Sequence, residues 1–354
     1  MFLVTTVLSF VITTGLLIFV HELGHYFCAR VCGVYVQEFS IGFGKEIFAF
    51  VDKNLTRWKI CIFPFGGFVR MQHHSQDSTS DRRSYNNQPI INRMLIVLAG
   101  PAANFIFAIV ALTVLNSFYG KYIISSVVDH VISESAAEKA GIMKRDIITE
   151  VAGVKVRDFL DLAQVVFNYP EVPIELVLER DNKLMKINVV PHAKLYRLND
   201  SEIRLGDLGI RGKLIRIKSS FIDSILESVN YTFGVSKLIL IALWQKLTGK
   251  DAIAEIVGVV GIAQESSKAM CCRSIDSFLL FLVNLSISLG VMNLLPILPL
   301  DGGRFLCLVY EMIVGKGSIN LMVYNIAMKI GVAIIIFLIV ISISNDIKNL
   351  LLKF

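Results

Sequence analysis

A metal-binding pattern lies inside an apolar run near the start of the chain. Residues 2–20 carry no charged side chain, and they lead directly into His21-Glu22-Leu23-Gly24-His25. Positions i and i+4 share one face of a helix, so His21 and His25 can offer two imidazole nitrogens to one metal ion. Glu22 is then placed to act as a general base on water at the metal. A catalytic site of this kind needs a third protein ligand and an open position.

The charge-free run is long enough to cross a bilayer, which takes about 20 residues. No basic residue precedes it and no small-residue cleavage site follows it, so we expect a membrane span and not a signal peptide. Ionisable groups at membrane depth are costly unless they are paired or bound to a metal, which favours a functional role. The alternative is a polar helix end at the membrane interface that matches the motif by chance.

Composition extends this interpretation to the whole chain. Of the 354 residues, 54% are hydrophobic and 18% are charged, and the mean hydropathy is +0.63. Soluble proteins carry about 25% charged residues. We therefore predict a polytopic α-helical membrane protein with four transmembrane helices. The predicted spans cover about residues 2–28, 93–115, 277–300 and 328–344.

Basic residues set the predicted orientation. The connection from 28 to 93 contains nine Lys and Arg residues, and cytoplasmic loops are enriched in both. We therefore expect both termini and the segment 121–276 to be extracytoplasmic. The net charge of +6 is spread along the chain, which fits membrane loops better than a nucleic-acid surface. The six cysteines form no pattern typical of a disulfide framework or a thiolate zinc site.

Residues 33–71 predict β-hairpins next to the first span. Glycines punctuate short runs rich in Phe and Ile, so we expect the region to dip into the membrane. Two roles remain open for it. An exposed strand edge can accept an extended substrate by strand addition, or the hairpin can simply shield the first helix.

The segment 121–276 is water-soluble in composition. Strand-like runs, two short helices and a hairpin turning at Asp181-Asn182 predict one small β-domain over 121–194. The region 195–276 is expected to hold a further strand segment and an amphipathic helix over 221–247. Lys237 and Lys246 interrupt that helix, so we expect it to lie at the outer interface and not to span the bilayer.

Asp301 is the predicted third metal ligand. It follows Pro296 and Pro299 at the end of the third apolar span, and a buried carboxylate there needs a cation. Taken alone, it could equally cap the helix beginning at Gly302 or pair with Arg304 at the surface. In the second span, Asn104 is expected to hydrogen-bond across to the first span, with small residues around it allowing close helix contact.

Two separated motifs resemble those of the site-2 protease family of intramembrane zinc metalloproteases. They are the His-Glu-Leu-Gly-His run and the sequence Asn293-Leu-Leu-Pro-Ile-Leu-Pro-Leu-Asp301-Gly-Gly. Residues 63–71 resemble the family's membrane re-entrant β-loop, residues 100–104 its second-span motif, and 121–194 a PDZ domain in bacterial strand order. The chain looks most like the regulator-of-sigma-E protease branch. The resemblance thus implies an N-terminal membrane half (1–120), a PDZ-like domain, the region 195–276 and a C-terminal membrane half (277–354).

The resemblance implies that His21, His25 and Asp301 bind zinc and that Glu22 is the catalytic acid/base. Asn293 matches a family asparagine near the scissile bond, a candidate hydrogen-bond donor to the developing oxyanion. Two departures are visible. Better-known relatives carry two PDZ domains where this chain has room for one, and Ser288 stands where many members have a second asparagine.

The function implied is hydrolysis of peptide bonds within or near transmembrane segments, in the inner (cytoplasmic) membrane of a bacterium. Expected substrates are single-pass transmembrane proteins, such as anti-sigma factors, or signal-peptide remnants, with no nucleic-acid partner. The alternative is a non-catalytic membrane scaffold whose PDZ-like domain binds exposed C-termini. A secondary transporter is disfavoured because the two halves show no repeat.

Overall fold

The computed structural model describes residues 2–72, 83–198, 201–218, 220–248, 275–315, 317 and 320–351. They form two compact units, one comprising Met1–Leu115 with Phe221–Phe354 and the other Asn116–Ser220. In chain order the helices are α1 (Phe2–Val31), α2 (Ile90–Tyr119), α3 (Ala136–Lys139), α4 (Phe159–Phe167), α5 (Phe221–Leu247), α6 (Ile275–Asn293), α7 (Asp301–Val314) and α8 (Leu321–Leu351).

Within the described part of the chain, four helices are long and apolar enough to cross a membrane. They are Leu8–Val31 within α1, the whole of α2, Phe221–Gln245 within α5, and α6. Three of them match predicted spans. The third predicted span was wrong at its end, because α6 stops at Asn293 and the following residues include two prolines that cannot donate helical hydrogen bonds. The predicted fourth span falls in α8, whose apolar described part, Leu321–Phe337, is shorter than the other four.

Helix α5 coincides with the helix expected over 221–247. The expectation that it is interfacial rested on Lys237 and Lys246 interrupting its apolar stretch, and the observed helix is continuous over Phe221–Leu247. It packs along the other apolar helices: the Thr113 hydroxyl donates to Ser228 Oγ at 3.1 Å, and the Tyr231 hydroxyl donates to Asn284 Oδ1 at 2.9 Å. Its length and apolar content therefore suit a membrane span.

Helices α1 and α2 touch through their backbones. A Cβ added to Gly24 would overlap the carbonyl oxygen of Ala99 and come within 2.7 Å of Ala103 Cβ. The small residues predicted to allow close contact therefore do so, because any larger side chain at Gly24 would force the helices apart. This contact brings the turn of α1 that carries the histidines against the middle of α2.

Between α1 and α2 the chain forms β1 (Val36–Val51) and β2 (Arg57–Met71), an antiparallel pair in which both strands bend. Phe39 lies opposite Val69 on one side and Trp58 on the other, so the first part of β1 is internal. Residues 67–71 of β2 have a strand neighbour on one side only among the described residues, and they form an edge. Phe39 is buried in a cluster with Tyr26 of α1, so the hairpin also covers that helix.

The turn between α6 and α7 is packed backbone to backbone. A Cβ on Gly302 would overlap the carbonyl of Leu294, and one on Gly303 would lie 2.6 Å from Leu298 N. Leu300 is the N-cap of α7, so Asp301 is the first helical residue and not the cap that sequence reasoning left open. The glycine pair thus seats the start of α7 directly on the turn.

The second unit is a small β-domain. Its strands are β3 (Lys121–Val131), β4 (Ile147–Val151), β5 (Val154–Lys155), β6 (Ile174–Arg180), β7 (Lys183–Val189), β8 (His192–Leu198), β9 (Ser201–Asp207) and β10 (Ile210–Ile217). The main sheet has the order β10-β3-β4-β6-β7, β5 pairs with β4, and β8 pairs with β9. The predicted hairpin turns at Asp181 and Asn182, which both have positive φ, as a tight type I′ turn requires.

The unit extends beyond the predicted boundary at residue 194. Strand β10 pairs with β3 over Ile210–Ile217, and Leu208 lies in the same apolar core as Ile148 and Leu176. The sequence gives β10 no partner by itself, since the strand it pairs with lies about 80 residues earlier in the chain, a separation that local patterns do not bridge. Within the predicted region 195–276, residues 249–274 lie outside the described part of the chain.

Candidate metal centre and cavity

Three ligand atoms from α1 and α7 converge at one point. His21 Nε2 lies 3.1 Å from Asp301 Oδ2, His25 Nε2 lies 3.4 Å from the same oxygen, and the two Nε2 atoms are 3.3 Å apart. Among the described residues, this is the one cluster of three His, Cys, Asp or Glu side chains able to hold a metal ion. The three residues predicted as ligands are therefore brought together, although Asp301 lies 276 residues after His25 in the chain.

The triangle has the dimensions of a zinc site. Zinc binds imidazole nitrogen and carboxylate oxygen at about 2.0–2.2 Å, so neighbouring ligands of a tetrahedral ion lie about 3.3–3.5 Å apart. The separations of 3.1–3.4 Å agree with that spacing. Three protein ligands leave the fourth position open, as in catalytic zinc sites.

Helix α2 orients both imidazoles. The Ile96 carbonyl lies 2.7 Å from His25 Nδ1, so it can accept the proton of that nitrogen and leave Nε2 free as a ligand. Asn104 reaches His21 Nδ1 at 3.0 Å, the hydrogen bond to the first span that the sequence predicted. Its buried Oδ1 has no partner among the described residues. Rotating this amide by half a turn would make Oδ1 the acceptor for His21 Nδ1–H, the arrangement that suits a metal-bound imidazole.

Gly100 makes room for the ligands. A Cβ at this position would overlap His25 Nε2 and lie 2.9 Å from His21 Cε1. The glycine of the second-span motif is therefore needed because both imidazoles pass directly over its backbone. Sequence reasoning placed this residue in helix packing; its position against the ligands was not predictable without knowing which face of α2 meets α1.

Glu22 and Asn293 face the same space as the ligands. Glu22 is 9% exposed, and its Cγ lies 3.0 Å from where a Cβ on Gly67 would stand. Asn293 is the last residue of α6. Both line a half-open cavity of about 740 Å³ together with His21, His25 and Asp301.

The edge of β2 forms another wall of this cavity. Residues 67–71 line it on the side of Glu22, and Arg93, Arg304 and Tyr324 line it elsewhere. The edge backbone and the ligand cluster therefore share one solvent-accessible space. An extended peptide lying along β2 would pass within this cavity.

An ion pair at the cavity wall was missed by sequence reasoning. The guanidinium of Arg93 binds the Glu311 carboxylate through two hydrogen bonds of 2.8 and 3.1 Å. Nothing local in the sequence could have paired residues 218 positions apart.

The match to a family model covers nearly the whole chain. Residues 9–338 match the model of Peptidase family M50. The chain is a member of peptidase family M50. The family comprises site-2 proteases that use zinc, so this protein is a zinc metalloprotease. With four helices long enough to cross a bilayer, it is a multi-pass membrane protein.

Relatives with assigned names agree with this membership. A Rickettsia conorii protein provisionally named a zinc metalloprotease is 35% identical over 98% of this chain and 99% of its own length. Metalloprotease MmpA of Caulobacter vibrioides is 30% identical over 97% of this chain and 94% of its own. Regulator of sigma-W protease RasP of Bacillus subtilis is 28% identical over 99% of this chain and its own full length.

Proposed function

We propose that this M50 protease hydrolyses peptide bonds within or near the transmembrane segments of other membrane proteins. The observation that carries the proposal is the triangle of His21, His25 and Asp301 beside a buried glutamate, with both histidines and Glu22 on a helix apolar enough to cross a bilayer. A substrate bond must therefore reach the site at membrane depth. The half-open cavity gives it a way in.

In this proposal His21, His25 and Asp301 would hold zinc, which would supply Lewis acidity and make an attacking water more acidic. Glu22 takes a proton from the attacking water on its carboxylate oxygen and later gives it to the leaving amine. The burial of Glu22 keeps bulk water from competing for that proton. The hydrogen bonds from α2 keep both imidazoles turned toward Asp301.

Asn293 is proposed to donate a hydrogen bond from its side-chain N–H to the developing oxyanion. Its place at the end of α6, on the wall that also carries Asp301, supports this role. The amide is neutral, so it stabilises new negative charge without competing for the metal.

The edge of β2 is proposed to bind the substrate as an added strand. A helical segment cannot be cleaved while its carbonyls are hydrogen-bonded within the helix, and pairing with an edge replaces those bonds. The edge position of residues 67–71 on the cavity wall supports this role. The shielding role holds alongside it, since the other face of the hairpin packs on α1. We further propose that this hairpin is a membrane re-entrant loop.

The unit Asn116–Ser220 is proposed to be a PDZ-like domain on the extracytoplasmic side, with both chain termini on that side of a bacterial inner membrane. Its short capped helices and five-stranded order support a PDZ-like fold. Single-pass membrane proteins or signal-peptide remnants are the proposed substrates. The name of the Bacillus subtilis relative, a regulator of sigma-W protease, supports a regulatory role of this kind. A non-catalytic scaffold would hold no stoichiometric zinc, which contradicts membership of a zinc protease family.

Two substitutions test the roles assigned at the site. Glu22→Gln should keep about one zinc per chain and lose cleavage of a transmembrane model substrate, because an amide cannot accept the proton. Asp301→Ala should lose both zinc and cleavage, because two imidazoles alone bind the ion weakly. Metal content of the purified protein and cleavage in reconstituted vesicles are the measurements.

Glu46→Gln is the matched control, since Glu46 lies on β1 outside the cavity lining and pairs with Arg57. It should keep both zinc and activity. Full activity in the Glu22→Gln protein would refute the assigned acid/base role, and full zinc content in the Asp301→Ala protein would refute the ligand set.

A further inference from the structure

The Arg93–Glu311 ion pair joins two helices that both serve the metal centre. Arg93 Nη2 lies 2.8 Å from Glu311 Oε1 and Nη1 lies 3.1 Å from Oε2, so the contact is bidentate. The side chains are only 9% and 10% exposed. A charge-assisted pair of this geometry holds its two backbones at a defined separation and angle, which a single flexible contact does not.

The two helices carry complementary parts of the site. Helix α2 contains Arg93 and supplies the Ile96 carbonyl and Asn104 amide that orient the two imidazoles. Helix α7 begins with Asp301, the third ligand. It also carries Glu311, whose carboxylate binds Arg93 of α2 directly. The ion pair therefore links the helix that aims two ligands to the helix that presents the third.

The ion pair lies far enough from Asp301 along α7 to fix the direction of that helix. Glu311 is 10 residues from Asp301, which places the pair about 15 Å along α7 from that carboxylate. On α2, Arg93 lies one turn before Ile96, whose carbonyl contacts His25. At its other end α7 is seated by Gly302 and Gly303 on the preceding turn. Two separated contacts fix the direction of a helix, whereas one contact leaves it free to pivot.

We propose that Arg93 and Glu311 are positioning residues of the metal centre, which set the placement of the Asp301 carboxylate against His21 and His25 by fixing the direction of α7 on α2. They act on the metal centre through the placement of Asp301, and Arg93 also lines the cavity. The inference rests on the proposed ligand set. Ligands must be held within about 0.5 Å of their working positions, a tolerance that a pivoting α7 does not meet.

Variants of similar size test the inference. Arg93→Gln and Glu311→Gln remove the charge pair, Arg93→Lys keeps the charge but not the bidentate contact, and Arg93→Glu with Glu311→Arg exchanges the partners. The readouts are zinc affinity by chelator competition and the visible spectrum of the cobalt-substituted protein, which reports ligand geometry. The unfolding temperature of the metal-free protein reports folding separately.

We expect both glutamine variants to bind zinc about 10- to 100-fold more weakly, as loss of groups that orient metal ligands usually does. Their cobalt spectra should shift from that of the unaltered protein. Arg93→Lys should lie between, and the exchanged pair should recover zinc affinity and spectrum. The matched control is Arg180→Gln, which breaks a bidentate pair with Asp146 in the other unit and should leave both readouts unchanged.

The outcomes separate this inference from the function it rests on. Glutamine variants with unaltered zinc affinity and cobalt spectra would refute the positioning role, even if their unfolding temperatures fall, because the pair would then be structural only. The same result follows if the exchanged pair folds but stays as weak as the single variants. Unaltered protein that binds no zinc would instead refute the ligand set itself.

Discussion

At the scale of single residues, the site depends on a glycine in α2 as much as on the side chains that converge there. Both imidazoles cross the backbone of α2 at Gly100, where there is no Cβ to obstruct them. The same helix supplies the Ile96 carbonyl and the Asn104 amide within hydrogen-bond distance of the imidazoles. One face of α2 therefore both admits and aims the ligands of α1.

Gly100→Ala is expected to lose most of the bound zinc. The added methyl would overlap His25 Nε2, and the nearest contacts on its other side belong to His21. The imidazoles would have to move by more than the tolerance of a metal site, about 0.5 Å. Zinc content and cleavage of a model substrate measure the effect.

Gly15→Ala is the matched control for this change, because nothing lies within 4 Å of a Cβ at that position in α1. It should keep zinc and activity. Equal zinc content in the two alanine variants would show that the imidazoles do not approach Gly100 as described.

The convergence of His21, His25 and Asp301 was predictable from sequence because the spacing of the two histidines is local and the demand for a third ligand pointed to Asp301. Gly100 and Glu311 were not predictable in their roles. Each acts on a side chain of another helix, and its effect depends on which faces of those helices meet. A sequence pattern specifies the spacing within one helix but not the rotation of one helix against the next.

At the scale of elements, α5 distributes its polar and apolar side chains as a membrane helix does. Its buried stripe consists of small hydroxyl residues, namely Ser224, Ser228 and Thr232, four residues apart. Its outward face carries large apolar side chains such as Phe233 and Trp244, both more than half exposed. Small polar groups facing other helices and large apolar groups facing outward are typical of helices packed within a bilayer. The expected interfacial position of this helix rested on its lysines, whereas the placement of its small and large side chains depends on which face meets other helices.

A cysteine pair at Thr113 and Ser228 should form a disulfide in native membranes. The two hydroxyl oxygens lie 3.1 Å apart across the α2–α5 contact, so cysteine sulfurs at these positions can reach bonding distance. Mass spectrometry of the oxidised protein identifies the linked peptides despite the native cysteines.

Pairing Thr113→Cys with Ile222→Cys is the control. Ile222 is 70% exposed and lies outside the buried stripe of α5. That pair should stay reduced. Efficient linkage of both pairs, or of neither, would argue against the described packing of α5 on α2.

At the scale of the whole molecule, the chain divides into a helical unit that holds the site and a β-domain inserted between its halves. The existence of both was predictable, because apolar composition changes sharply near residue 120 and the strand and turn signals after it are strong. The exact extent of the β-domain was not, because β10 joins the sheet through a pairing with β3 over a long sequence separation. Long-range pairing leaves little trace in local residue patterns.

The β-domain should lose stability in acid through Asp146. Burial by itself raises the pKa of Asp146, but hydrogen bonds from Arg180 and the Met143 amide outweigh it and hold that pKa below its usual range. A carboxyl whose pKa is lowered by folding stabilises the domain above its unfolded pKa of about 3.9, and this contribution is lost as the pH falls through the folded pKa. Hydrogen-exchange protection of β4 and β6 in the full protein, measured from pH 7 to pH 3, should therefore fall only at the acid end.

Arg180→Gln should lower that protection already at neutral pH, by about 1.5–3 kcal/mol for a lost charged hydrogen-bond partner. The acid-induced fall should also become smaller, because without Arg180 burial raises the folded pKa of Asp146 toward its unfolded value and less stability is linked to the ionised carboxylate. An unchanged protection profile in this variant would contradict the stabilising role of the pair.

The backbone contact between Gly24 and Ala99 has a consequence for how a peptide is admitted. No layer of side chains separates α1 from α2 at this contact, so the two helices cannot change their separation by side-chain repacking. Their wall of the cavity is therefore rigid. Any widening that lets a bulky segment in must therefore come from elements other than these two helices. Changes in those other walls would alter the rate at which a peptide enters, while the histidine-bearing wall keeps its shape.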